Sequence, residues 1–182
     1  MKRLTEVSNA EIAICALLGL CVGAWMLPAY GIAVATAFAI LGHFLALITL
    51  VDARAFRIPD QLSLPLVPLG LLTVWWIDPA LVTDRIIAVL AGGLGFYAVN
   101  FVYRRIRGFD GLGMGDVKLT AAAGAWVGLA GLAPVILIAC TGALVAALIL
   151  RVHLDGLQTR WTRLPFGSSE APALLVTVLW LF

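Results

Sequence analysis

Charge is scarce in this sequence. Of its 182 residues, 12% are Asp, Glu, Lys or Arg and 63% are hydrophobic, and the mean hydropathy is +1.06. Soluble domains carry about 25% charged residues, and a small domain leaves much of its surface exposed. A water-soluble globule is therefore excluded, and the solvent must be a bilayer. Twelve basic and ten acidic residues leave a formal net charge of +2, so membrane lipid, not nucleic acid, is the expected partner. Cysteine is equally sparse. Cys15, Cys21 and Cys140 all lie in apolar runs with no C-x-x-C pair and no neighbouring histidine, which excludes a disulfide framework and a zinc site and makes them packing residues. The two histidines, His43 inside an apolar run and His153 in a loop, have no nucleophile at recognisable spacing. Nothing calls for a metal or an organic cofactor.

What the chain has is long uncharged runs. A helical span needs about 20 apolar residues, within a range of about 17 to 25. From Ile12 to Val51 no residue is charged; this is too long for one helix and right for two, with Pro28-Ala29-Tyr30-Gly31 as the turn. Gln61 to Ile77 makes a third span and Ile86 to Tyr103 a fourth. Leu119 to Leu150 makes two short ones, reversing around Gly128, Gly131 and Pro134. Leu164 to Phe182 makes the last, interrupted by Pro165, Gly167 and Glu170. The expected fold is an all-α polytopic transmembrane bundle of about seven spans, or six if Leu119 to Leu150 crosses once, in a single domain over residues 1–182. Met1-Lys2-Arg3 precedes an apolar stretch with no small-residue cleavage motif, so the first helix is expected to be retained.

Basic residues test this count, because short cytoplasmic loops are enriched in Lys and Arg. With seven spans, 11 of the 12 fall on one side and only Arg85 falls opposite. That side is cytoplasmic, which predicts a multi-pass protein of the inner membrane.

Carboxylates at membrane depth are functional candidates because holding them there is costly. Glu6, Glu11, Asp78, Asp84 and Asp155 flank helices or lie in connections, and a solvated structural role suits them. Asp52 and Asp116 differ: the first directly follows an apolar run and the second directly precedes one, and the topology puts both helix ends on the cytoplasmic side. Two carboxyls close together in a low-dielectric cleft share one proton, which equips them to hydrolyse a peptide. One takes a proton from water while the other, protonated, polarises the carbonyl and then donates to the leaving amine. Around Asp116, the run Gly108-Phe109-Asp110-Gly111-Leu112-Gly113-Met114-Gly115-Asp116 has four glycines that permit bending or close approach of a substrate strand. Its plainer alternative is an Asp capping a helix after a flexible loop. Asp60, after Pro59, reads as a cap of the third span, and Lys118 as a snorkelling interface residue.

Val51-Asp52 through Ile58-Pro59-Asp60 and Gln61-Leu62-Ser63-Leu64-Pro65-Leu66 resembles the first catalytic block of the type IV prepilin peptidases. Gly113-Met114-Gly115-Asp116-Val117-Lys118-Leu119 resembles their G-x-G-D block, and Leu164-Pro165-Phe166-Gly167 their late P-F-G element, all in the family's order. The resemblance implies an aspartic endopeptidase that removes the short basic leader of prepilins or pseudopilins at the cytoplasmic face, with Asp52 and Asp116 as the catalytic pair. Gly113, Gly115, Lys118, Pro165, Phe166 and Gly167 would serve as loop or substrate-contacting residues. Bifunctional members carry an amino-terminal cytoplasmic loop with paired C-x-x-C motifs and also methylate the new amino terminus; the sequence has no such motifs, so methyl transfer is not expected. Where a further Pro or apolar residue is common in the family, Ser168-Ser169-Glu170 stands here.

The helix dipole suggests a division of roles. Asp116 at a helix amino terminus is favoured as the anion and Asp52 at a carboxyl terminus is not, which makes Asp116 the expected base and Asp52 the acid. A basic leader drawn to anionic headgroups would place the scissile bond at the depth of this pair, with Gly113 and Gly115 admitting the unwound segment. The other functions compatible with these residues are a small proton-coupled transporter and a non-catalytic membrane assembly subunit.

Overall fold

The structure, a computed structural model, describes residues 7–108, 111, 113–153 and 166–182. Its elements are α1 (Asn9–Ala55), α2 (Asp60–Ser63), α3 (Leu66–Ile77), a 3-10 turn at Pro79–Leu81, α4 (Val82–Arg107), α5 (Met114–His153) and α6 (Gly167–Leu181). There is no strand among the described residues.

The longest helix is a hairpin. α1 opens on a capping box, in which the Glu11 amide donates to the Ser8 hydroxyl and the Ser8 amide donates to Glu11 Oε2 at 2.8 Å. It breaks at Gly31, whose φ of 75° and ψ of 178° suit a residue without Cβ. The arms, residues 9–30 and 32–55, fold back on each other, because Arg54 forms an ion pair with Glu11. In an unbroken helix these two residues would lie about 65 Å apart. Small residues let the arms approach: a Cβ on Gly23 would come 2.7 Å from the Ala35 carbonyl oxygen, and one on Gly42 would come 3.1 Å from Gly19 Cα. His43 packs at this crossing.

α5 is broken in the same way at Gly128, with φ 73° and ψ −176°. There the Leu129 amide donates to Asp84 Oδ2 at 3.2 Å. Its arms are residues 114–127 and 129–153. The core lies between α1, α3, α5 and α6, around Phe38, Leu41, Leu66, Trp126, Leu174 and Val178. Trp126 packs edge-on against Phe38 at 5.4 Å between ring centres and donates through Nε1 to the Leu66 carbonyl at 2.9 Å, so its one polar atom is satisfied in the interior.

The two ends of the bundle differ in chemistry. Arg54, Arg57, Arg104, Arg105, Arg107 and Lys118 sit at the end where α1 and α4 finish and α5 begins. Trp25, Trp76 and Trp180, which are 74%, 69% and 78% exposed, sit toward the opposite end, where Tyr30 donates to the Phe182 carbonyl at 3.0 Å. Exposed tryptophans at one end and cations at the other match the two interfaces of a bilayer.

Among the described residues, four helical stretches are able by length and composition to cross a membrane: Asn9–Ala55, Asp60–Ile77, Pro79–Arg107 and Met114–Ile149. The breaks expected near Gly31 and Gly128 are present. Against the expectation of about seven spans, however, the first arm of α5 is only about 21 Å long at 1.5 Å per residue, and α6 has 15 residues. Both fall below the length that spans about 30 Å of hydrocarbon, so length alone does not carry the count to seven. Of the cysteines, Cys15 is buried whereas Cys21 and Cys140 are exposed, so only the first is a packing residue.

Candidate active site

Asp52 lies in the last turn of α1 and is 4% exposed. The helix ends because Phe56 adopts the left-handed region at φ 52° and ψ 40°, its amide donating to the Asp52 carbonyl at 2.9 Å. This unusual conformation for a non-glycine residue turns the chain sharply before α2 begins, and Ile58 reaches the space beside Gly167 that Asp52 also borders. The side chain of Asp52 is met from a remote part of the sequence: the Ser168 amide, in the first turn of α6, donates to its Oδ2 at 2.7 Å.

Asp116 is the third residue of α5 and is 9% exposed. The Gly113 amide donates to its Oδ2 at 3.1 Å, and its own amide donates to the Gly113 carbonyl at 3.1 Å. Asp116 is therefore not the N-cap that the sequence allowed; Gly113 holds that position, and Asp116 reaches back to its amide from the third helical residue, which occupies Oδ2. Asp52 and Asp116 are within electrostatic reach of each other, and Ile58 packs at the glycine before Asp116 and at the glycine beside Asp52. A Cβ on Gly115 would come 2.8 Å from Ile58 Cβ, and one on Gly167 would come 2.6 Å from Ile58 Cδ1 and 3.1 Å from Asp52 Cγ. A Cβ on Gly113 would come 3.1 Å from Asp116 Oδ2. These three glycines are thus places where Ile58 or a carboxyl group fills the space a side chain would take.

The other expected residues fall into place unevenly. Lys118 is no free snorkelling cation, since its Nζ donates to Asp60 Oδ1 at 2.7 Å and ties the start of α5 to α2. Asp60 is correspondingly not a cap: Pro59 occupies the N-cap position and no side chain caps that helix. Phe166 is half-buried against Phe96, with 6.4 Å between ring centres. Pro165 lies outside the described residues. The glycine-rich stretch is anchored from α4, where buried Asn100 accepts from the Gly111 amide at 3.1 Å and the Tyr103 ring lies where a side chain on Gly111 would go. Among the described residues no group of three or more His, Cys, Asp or Glu is placed to hold a metal ion.

Two site residues escaped the sequence. Glu170, which there only interrupts an apolar run, is 1% exposed in the first turn of α6 and within electrostatic reach of both aspartates. Its Oε1 makes a short hydrogen bond with the Thr120 hydroxyl, which also lies 2.9 Å from the Asp116 carbonyl oxygen. The available signal was the cost of an ionisable group in an apolar helix. The second is the Ser168 amide, and it changes an argument. Asp52 ends one helix but faces the amino terminus of another, so both aspartates accept from an amide at a helix start. The dipole contrast that made Asp52 the acid and Asp116 the base is thereby reduced.

No solved structure matches the chain. The model of the type IV leader peptidase family matches residues 39–149, a stretch that contains Asp52, Ile58 and Asp116. The chain is 35% identical over 144 residues to a prepilin leader peptidase/N-methyltransferase of Xanthomonas campestris pv. campestris, covering 78% of this chain and 48% of that protein. It is 32% identical over 168 residues to the protein of that name from Aeromonas salmonicida, covering 91% and 55%. With that of Neisseria gonorrhoeae it shares 36% identity over 115 residues, covering 62% and 40%. The chain spans about half the length of the curated relatives it matches. With more than half of its residues inside the family's model and both aspartates within the match, the chain belongs to the type IV leader peptidase family.

Proposed function

We propose that this chain is a membrane-embedded aspartic endopeptidase that removes the basic leader from type IV prepilins or pseudopilins. Asp52 and Asp116 share one proton. The ionised member takes a proton from the attacking water, the protonated member polarises the scissile carbonyl, and the proton then passes to the leaving amine. Either aspartate can begin as the base, since each accepts from a backbone amide at a helix start. Methyl transfer is not part of this proposal.

The observation that carries the proposal is that two carboxyls from distant helix ends are both buried and within electrostatic reach of each other, with Ile58 packed at Gly115 and Gly167 beside them. They lie at the end of the bundle that bears the cations, which we assign to the cytoplasmic face of the inner membrane, with seven helical segments passing between the two interfaces. There the leader of a prepilin, held by anionic headgroups, and the apolar helix that follows it would bring the scissile bond to the carboxyls.

The test is incubation of the detergent-purified chain with a prepilin-like peptide carrying a basic leader. Cleavage is expected in the wild type and a loss of at least about 10²-fold, the scale of acid-base catalysis, in both Asp52→Asn and Asp116→Asn. Equal cleavage by either variant, or none by the wild type, refutes the proposal.

A further inference from the structure

The mechanism above makes no use of Glu170, although it is more deeply buried than either aspartate. From α5 it faces Thr120 and Asp116, and from α1 it faces Asp52. The ion pairs among the described residues join Arg54 to Glu11 and Lys118 to Asp60, and neither reaches it. α6 itself contains no Lys, Arg or His.

Hydrogen bookkeeping bears on its state. The Thr120 hydroxyl lies within bonding distance of two acceptors, the Asp116 carbonyl oxygen and Glu170 Oε1, but it has one hydrogen. A helical threonine ordinarily gives that hydrogen to the carbonyl four residues back, which here is that of Asp116. Thr120 can serve both contacts only if the hydrogen in the short one comes from Glu170. Its second oxygen, Oε2, is buried with no hydrogen-bond partner among the described residues. That is tolerable for the carbonyl oxygen of a neutral acid and costly for an anion beside two other carboxyls.

Resting on the peptidase proposal, we infer that the first turn of α6 is a clamp on the aspartate pair, in which Glu170 is a positioning residue held as a neutral carboxylic acid. Ser168 grips Asp52 through its amide, while Glu170 donates to Thr120 and through it holds the helix start that carries Asp116. The spacing of the two reacting carboxyls is thereby set by a single turn of a third helix.

The experiment uses the full chain in detergent with the same peptide, comparing Glu170→Gln, Glu170→Leu and Thr120→Val with the wild type. A glutamine amide donates the same bond without titrating, so Glu170→Gln is expected to keep kcat within about 3-fold and to give a pH–rate profile that superimposes on the wild type. Glu170→Leu and Thr120→Val break the link and are expected to lower kcat by about 10-fold or more with KM little changed, as displaced catalytic groups do. Infrared spectra should show a protonated-carboxyl band in the wild type that Glu170→Gln lacks. This readout needs no activity and decides the claim even if Glu170→Leu fails to fold.

An acid-shifted profile in Glu170→Gln would overturn the inference, because it would mean that a charge on Glu170 had been raising the proton affinity of the aspartates. So would full kcat in a folded Thr120→Val, or an unchanged infrared band. Failure of the peptidase proposal looks different: the wild type does not cut, or Asp52→Asn cuts as well as the wild type, whatever the Glu170 variants do.

Discussion

Replacing Gly167 with alanine tests how tightly the site is built. The added Cβ would lie 2.6 Å from Ile58 Cδ1, 3.0 Å from Ile58 Cγ1 and 3.1 Å from Asp52 Cγ, whereas carbon atoms rest about 3.5 to 4.0 Å apart. The neighbours must therefore give way by roughly 0.5 to 1 Å. The terminal methyl of Ile58 can swing aside, but Asp52 cannot move without stretching its 2.7 Å bond from Ser168. Gly167 is helical without a positive φ, so the effect is one of space and not of backbone strain. Overpacking of this kind costs about 1 to 3 kcal/mol of stability, and a catalytic group displaced by about 1 Å can cost about 10²-fold in rate.

The assay is peptide cleavage and thermal melting of Gly167→Ala, Ile58→Ala, the double variant, and Gly95→Ala as a control. Ile58→Ala opens the space that the new methyl needs, so the double variant should recover at least half of the lost rate on a logarithmic scale, a positive coupling of the kind found between touching residues. A Cβ on Gly95 in α4 meets no described residue within 4 Å, so that variant should cut normally and gain up to about 1 kcal/mol from helix propensity. Wild-type cleavage by Gly167→Ala, or a double variant no better than Gly167→Ala alone, would refute the packing argument.

Two further predictions concern the scaffold. Gly31→Ala meets no described residue within 4 Å but must adopt φ near 75° with ψ near 178°, a region essentially confined to glycine, so it should lower stability by about 1 to 3 kcal/mol, measured as a reduced melting temperature. The Lys118–Asp60 pair has side chains 31% and 57% exposed. Lys118→Met should therefore cost less than about 1 kcal/mol, the difference from the wild type should shrink in high salt, and the exchange Lys118→Asp with Asp60→Lys should restore it.

Periodic apolar runs and the placement of charge are local properties, and they were legible from the sequence: an all-helical membrane chain, breaks near Gly31 and Gly128, and cations gathered at one end. The nomination of Asp52 and Asp116 was legible too, because a carboxylate beside an uncharged run of tens of residues is conspicuous, and because the blocks around them resemble those of a known family. Tertiary structure decided what those residues touch. Nothing in the order of residues announces that Ser168, more than a hundred positions downstream, donates to Asp52, that Ile58 folds back between Gly115 and Gly167, or that Lys118 is taken up by Asp60. Glu170 is the clearest case. Along the chain it is one polar interruption in an apolar segment; in space it is a buried acid at the junction of three helices. Linear sequence records which groups dislike lipid, but which of them share a dry pocket depends on how helices cross, and those crossings are set by small residues and chain reversals acting together over the whole bundle.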